Sequence, residues 1–85
     1  MKSPKNRKAE QDAARMYAGR RRDIDYLVKR LRAELAEHAR RARKDPANWG
    51  YAGDLGAFRG RLAELVGFIT GLDADGVNKD LPFGE

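Results

Sequence analysis

The sequence has no cysteine, a single histidine and no long apolar run, and each absence excludes a class of protein. Without cysteine the chain can form no disulfide framework and offers no thiol nucleophile. One histidine allows no pair of histidine ligands for a metal within one chain. No stretch is long and apolar enough to cross a bilayer, and the N-terminus lacks the apolar core of a secretory signal. The sequence therefore predicts a cytoplasmic protein.

Catalytic signatures are equally scarce. We find no glycine loop that cradles phosphate, no nucleophile elbow and no zinc-ligand spacing. Asp73-Ala74-Asp75-Gly76 is similar to part of a calcium loop, but that register places Gly71 and Pro82 where carboxylates are needed. His38 lies on a helix seam, where an interior or interface position held by Glu34 is favoured over a catalytic base. We expect a protein that is not an enzyme and needs no cofactor or metal.

Acidic residues are scarce in the first half of the chain. Residues 1–44 carry fifteen Lys and Arg against six Asp and Glu, a net charge of +9. Residues 45–85 carry a net charge of −4, which leaves +5 for the whole chain. A split of this kind indicates either helices that pair within the molecule or a basic face that meets an anionic partner.

The spacing of apolar residues predicts two helices in one small domain. The first covers residues 20–44 and ends before Pro46, because a residue that precedes proline avoids the helical conformation. The second covers residues 54–71, with Asp54 as its N-cap and Gly71 as its C-terminal stop. Each carries a coiled-coil-like seam. The seams are formed by Ile24, Val28, Leu31, Leu35, His38 and Ala42, and by Leu55, Phe58, Leu62, Leu65, Ile69 and Leu72.

The segments outside these helices are predicted to be less regular. Residues 1–19 form a basic arm, partly disordered or helical, with Ser3 as a possible N-cap and a break near Gly19. Residues 73–85 form a loosely ordered tail. Residues 20–72 then form an antiparallel helical hairpin, so the predicted fold class is all-α.

The stretch KDPANWGYAGDLG, from Lys44 to Gly56, holds the only tryptophan of the chain. Its glycines and proline predict the turn of the hairpin. Because a core of two helices is open at its end, we expect Trp49 to cover the last seam layer. The alternative is an exposed recognition loop.

A single hairpin buries too little apolar surface to be stable. Ordering costs about 1.5 kcal/mol per residue, whereas a large apolar side chain contributes about 1.5–3 kcal/mol when fully buried. We therefore predict a homodimer that forms a four-helix bundle, with an additional partner protein as the alternative. Small residues recur opposite the seam of the second helix and form a small-residue face, where another backbone could approach closely. This face consists of Gly56, Gly60, Ala63, Gly67 and Gly71. The predicted interface residues are Leu27, Gly60, Val66, Gly67 and Phe68.

Charge carries the strongest indication of function. One flank of the first helix has a basic stripe with almost no acidic partner in its own helix. An arginine guanidinium group can bind two phosphate oxygens at once. The stripe would be extended by Arg20, Arg21 and the arm residues Lys2, Lys5, Arg7, Lys8 and Arg15. We expect DNA or RNA binding with low sequence specificity, since no base-reading motif is present and only Tyr17 in the arm could stack on a base. The alternative is a protein-interaction module, an inhibitor or assembly factor, that uses the small-residue face. The stripe consists of Arg22, Lys29, Arg32, Arg40 and Arg43.

The run NWGYAGDLG followed by LAELVGFITG resembles a turn-plus-helix pattern in small uncharacterised bacterial proteins of plasmid or prophage type. The resemblance covers about residues 45–70 and implies an accessory protein of a mobile element, but it transfers no functional residue. The architecture is also similar to that of Rop, a plasmid RNA-binding dimer of helical hairpins. That similarity is one of architecture only, because no Rop motif is present, and fold does not imply function.

Overall fold

The computed structural model describes residues 4–79 and residue 81, and these residues contain helices and no strand. The all-α class predicted from the sequence is therefore confirmed. The chain divides into two compact units, Met1–Arg41 and Ala42–Glu85. Parts of the predicted arm and tail, namely residues 1–3, 80 and 82–85, lie outside the described residues. The helices are α1 (Pro4–Lys44), α2 (Trp49–Thr70) and α3 (Ala74–Asn78).

Helix α1 is one unbroken helix of 41 residues. The predicted break near Gly19 is wrong, because one glycine inside a helix costs only about 1 kcal/mol relative to alanine. The alanines and arginines on both sides of Gly19 are strong helix formers. At the other end the prediction is confirmed, since α1 stops at Lys44, two residues before Pro46. The Asp45 N–H donates to the Ala42 carbonyl at 3.1 Å and closes the last turn.

A tight turn leads from α1 into α2. The Asn48 N–H donates to the Asp45 carbonyl at 3.1 Å, and Pro46 occupies the second position of this turn, where its fixed φ is favourable. Asn48 then caps α2, because its Oδ1 accepts a hydrogen bond from the Gly50 N–H at 2.8 Å. The predicted N-cap at Asp54 is therefore wrong by six residues. The glycines at positions 50 and 53 indicated a loop, but both lie inside the helix that Asn48 caps.

The early start of α2 changes the position of Trp49. It is the first residue of the helix, and its side chain is 85% exposed. The prediction that Trp49 covers the end of the core is therefore wrong for the single chain. Trp49 shares its helical angle with Gly67, five turns later, and so lies opposite the apolar seam of α2.

Helices α2 and α3 pack against each other at a sharp corner. Gly71 ends α2 in the left-handed region, at φ 80°, and its N–H donates to the Gly67 carbonyl at 2.8 Å, as expected of a C-terminal stop. Asp73 caps α3 by accepting from the Gly76 N–H at 2.7 Å. Residues 74–78 are thus helical, and the prediction of a loosely ordered tail is wrong for them. The Asp73 carboxylate, which is similar in sequence position to a calcium ligand, accepts a backbone hydrogen bond as a helix cap.

The corner holds the best-packed part of the described chain. Ala63 and Val77 are its buried hydrophobic residues. Gly67 is also buried, and a Cβ atom built there would lie 2.5 Å from the carbonyl oxygen of Leu72. A glycine is required at this position because the chain itself crosses directly over it.

The apolar seam of α2 is largely uncovered. Its residues Leu65, Ile69 and Leu72 are exposed, Ile69 to 82%. Val66 and Phe68, on the flanks of the seam, are exposed as well, Phe68 to 85%. On α1, Ile24 and Val28 are exposed, whereas Leu31, Leu35, His38 and Ala42 are half-buried. Among the described helices, none is both long and apolar enough to cross a membrane.

Candidate nucleic-acid interface

Helix α1 places the five residues of the basic stripe on one side of a single rod. At about 100° per residue, all five fall within an arc of about 80°, centred about 120° from the apolar seam. All five are exposed. The rise of about 1.5 Å per residue separates Arg22 from Arg43 by about 32 Å, close to one turn of duplex DNA. The basic stripe can therefore bind a ligand while the apolar seam packs against another helix.

The continuity of α1 through Gly19 lengthens this surface. Because no break intervenes, Arg7 lies at the same helical angle as the stripe, and Arg15 lies at its edge. Arg7 and Arg43 are then separated by about 54 Å along the helix axis. Both added residues are exposed, as is Lys8. Lys2 and the side chain of Lys5, also predicted to contribute, lie outside the described residues.

Ion pairs on α1 neutralise part of its charge but little of the stripe. Arg30 donates to Glu34 at 2.8 Å on the mixed flank of α1, which also carries Glu37 and Arg41. Arg21 donates to Asp25 at 3.0 Å. Glu37, however, pairs with the stripe residue Arg40, which the sequence analysis left without a partner. Asp25 interrupts the stripe, and its carboxylate is held by Arg21. In the described part of the chain, Arg22, Lys29, Arg32 and Arg43 form no ion pair.

The paired arginines keep their charge throughout the physiological pH range. The hydrogen bond from Arg21 to Asp25 raises the pKa of Arg21, and the attraction between the two charges adds to this effect. Hydrogen bonds to Glu34 and then Tyr26 raise the pKa of Arg30. Arginine is already protonated throughout the physiological range, so the charge of this helix face does not depend on arginine titration.

Exposed aromatic residues lie on both long helices. Tyr17, the aromatic residue singled out in the arm, is exposed but lies on the seam side of α1, about 100° from the centre of the stripe. Trp49 is more exposed and follows the C-terminal end of the stripe by six residues. From the sequence alone a core position is predicted for Trp49, because large aromatics usually dominate burial. The N-cap Asn48 was the signal that could have corrected this prediction.

The five predicted interface residues differ in what surrounds them. Leu27, Val66 and Phe68 are exposed in the single chain. A Cβ on Gly60 would meet nothing within 4 Å, so this position is open. Gly67 is covered by the backbone of Leu72 and Asp73 from its own chain, and it is closed to a partner in this conformation.

The remaining candidate chemistry is limited. His38 is half-buried on the seam of α1 and interacts with another group of the chain. Within residues 4–79 and 81, no group of three or more His, Cys, Asp or Glu side chains could hold a metal ion.

We compared the chain with models of known protein families, with curated proteins and with solved structures, and it matches none of them. The resemblance to small plasmid or prophage proteins and the likeness to Rop therefore stay predictions.

Proposed function

We propose that this protein is a small, non-enzymatic accessory protein that binds nucleic acid through the basic stripe of α1. The observation that carries the proposal is the set of exposed cations aligned on one side of an unbroken helix. Four of the five stripe residues form no ion pair in the described part of the chain, and most of the acidic residues of α1 lie on other flanks or are already paired.

The chemistry of the stripe fits phosphate backbones. An arginine fork can bind two phosphate oxygens at once, and neutralised phosphates release condensed counterions, which drives association. Contacts of this kind position a protein on nucleic acid but carry no sequence information. The chain shows no base-reading motif, so the proposed binding has low sequence specificity.

The same proposal includes a homodimer. We propose that α1 and α2 pair as an antiparallel hairpin and that two hairpins form a four-helix bundle, because the seam of α2 is otherwise exposed to water. Exposed apolar patches of this extent are typical of interaction sites. In sedimentation experiments the chain should form a dimer, and Ile69→Lys should shift it to monomer. The outward-facing control Ala57→Lys should leave the dimer intact, and a monomeric wild-type chain would contradict this arrangement.

The proposed setting is the bacterial cytoplasm, on the basis of the resemblance to plasmid and prophage proteins. A second function stays open because part of the small-residue face is free. No heavy atom lies within 4 Å of a Cβ built at Gly56 or Gly60. A protein partner could pack there, and Gly60→Leu would then abolish the interaction while nucleic-acid binding persists. Gly67 cannot serve in this test, since a side chain there meets the chain's own backbone.

The stripe can be tested with two double variants of equal charge. Arg32→Gln with Arg43→Gln removes two stripe cations, and Arg30→Gln with Arg41→Gln removes two cations from the mixed flank at the same spacing. Fluorescence anisotropy of labelled duplex DNA, hairpin RNA and single strands gives Kd for each. We expect the first variant to weaken binding strongly and the second only slightly. Equal losses would show that net charge alone, without the stripe, governs binding.

A further inference from the structure

Trp49 is exposed and directly follows the short turn that comes after the basic C-terminal end of α1. The turn that precedes it is closed by the bond from the Asn48 N–H to the Asp45 carbonyl, and also by a bond from Asn48 Nδ2 to Asp45 Oδ2, at 3.1 Å each. The Cα atoms of Asp45 and Asn48 are thus within about 7 Å, the limit for such a turn. Lys44 and Trp49 flank this turn on its two sides.

The side chain of Trp49 is 85% exposed, so most of the indole surface is open to solvent. On a helix, residues three and four positions ahead normally cover a large side chain. Here those positions hold Ala52 and Gly53, and a Cβ at Gly53 would meet nothing within 4 Å. Trp49 also lies opposite the apolar seam of α2, so a dimer formed through that seam leaves the indole uncovered.

Charge near Trp49 favours an anionic partner over an apolar one. Arg43 and Lys44 are exposed and form no ion pair in the described part of the chain. The carboxylate of Asp45, the residue that follows Lys44, accepts the hydrogen bond from Asn48 Nδ2. Proteins hold single-stranded nucleic acid with exposed aromatic rings, on which bases stack, together with cations that bind phosphates. Here an exposed ring follows these two cations after a four-residue turn.

We infer that Trp49 stacks on an unpaired base of single-stranded DNA or RNA, while Arg43 and Lys44 bind adjacent phosphates. A duplex offers no free base face to the indole, so this residue distinguishes single strands from duplexes. The inference rests on the proposed nucleic-acid binding and adds the class of ligand.

The single tryptophan allows a direct experiment on the full chain. Its emission is recorded during titration with a short oligothymidylate and with a duplex of equal length, and anisotropy of the labelled oligonucleotides gives Kd. Variants are Trp49→Ala, Trp49→Phe and, as a matched exposed aromatic away from the stripe, Tyr17→Ala. Circular dichroism checks that each variant stays helical.

We expect the single strand to quench Trp49 emission and the duplex to leave it nearly unchanged. Trp49→Ala should raise Kd for the single strand about 5- to 150-fold, the equivalent of about 1–3 kcal/mol per stacked base, with little change for the duplex. Trp49→Phe should retain most of the affinity, and Tyr17→Ala all of it.

Three results would overturn the inference, and they differ in what they leave standing. If Trp49→Ala keeps the single-strand Kd within about twofold of wild type, the stripe binds nucleic acid without stacking, and only this inference fails. If Trp49 emission changes with protein concentration before oligonucleotide is added, a second copy covers the indole. If the wild-type chain binds neither ligand at low salt, the proposed function fails as well.

Discussion

The corner between α2 and α3 permits a sharp test, because two glycines on one face of α2 should respond differently to the same substitution. Gly60 and Gly67 lie two turns apart, and both have helical backbone. A Cβ at Gly60 meets nothing within 4 Å, whereas at Gly67 it would lie 2.5 Å from the Leu72 carbonyl oxygen. The contacting atom belongs to backbone, so it cannot rotate away as a flexible side chain would.

The expected free energies follow from these surroundings. Replacing glycine by alanine in a helix interior stabilises by about 1 kcal/mol, and Gly60→Ala should gain this amount. Gly67→Ala gains the same helix-propensity free energy, but its added methyl group overpacks the corner, which typically costs about 1–3 kcal/mol. The two variants should therefore differ in free energy of unfolding by about 1–3 kcal/mol. For a chain of this size each kcal/mol corresponds to about 4–8 °C in Tm.

Thermal unfolding followed by circular dichroism measures this difference, with protein concentration held equal because association shifts apparent stability. A short helix such as α3 could also detach and relieve the clash locally. Hydrogen exchange at the Val77 amide, which donates to the Asp73 carbonyl at 3.1 Å, should then be faster in Gly67→Ala than in Gly60→Ala. If both variants gain the same stability and protect Val77 equally, the backbone of Leu72 does not lie against Gly67.

Two further substitutions test the ends of α2. Gly71→Ala should destabilise by about 1–2 kcal/mol, because Gly71 has φ 80° and a Cβ at that angle is strained even though the space around it is open. Gly71→Asn should cost less, and equal urea midpoints for both variants would contradict this reasoning. Asn48→Ala should cost about 0.5–2 kcal/mol by removing the acceptor for the Gly50 N–H, whereas Asn48→Ser should keep most of the cap. Equal stability of Asn48→Ala and wild type in urea would show that the cap contributes nothing.

The sequence predicted those parts of the fold that depend on strong local signals. The apolar seams indicated the two long helices, Pro46 predicted the end of α1, and Gly71 predicted the end of α2. The start of α2 was missed because glycines at 50 and 53 resemble loop residues, although a single cap at Asn48 suffices to begin the helix. Helix α3 was missed because five residues give no periodicity, and its stability comes from packing of Val77 on α2.

The candidate site was also predictable only where it depends on local sequence signals. The alignment of the stripe follows from helical periodicity alone, and it was predictable once residues 20–44 were assigned to one helix. The pairing of Arg40 with Glu37 was missed because spacing permits Glu37 to reach either Arg40 or Arg41. The exposure of Trp49 depends on where α2 begins, and a shift of five residues moves its side chain from the end of the core into solvent.

The most direct test of nucleic-acid binding by the stripe is the salt dependence of Kd for the wild-type chain with duplex DNA. Each neutralised phosphate contributes about −0.9 to the slope of log K against log salt concentration. If all five stripe residues contact phosphate the slope should be about −4.5, and it should be about −3.6 if Glu37 retains Arg40. A slope near zero, or no binding at low salt, would contradict the central claim.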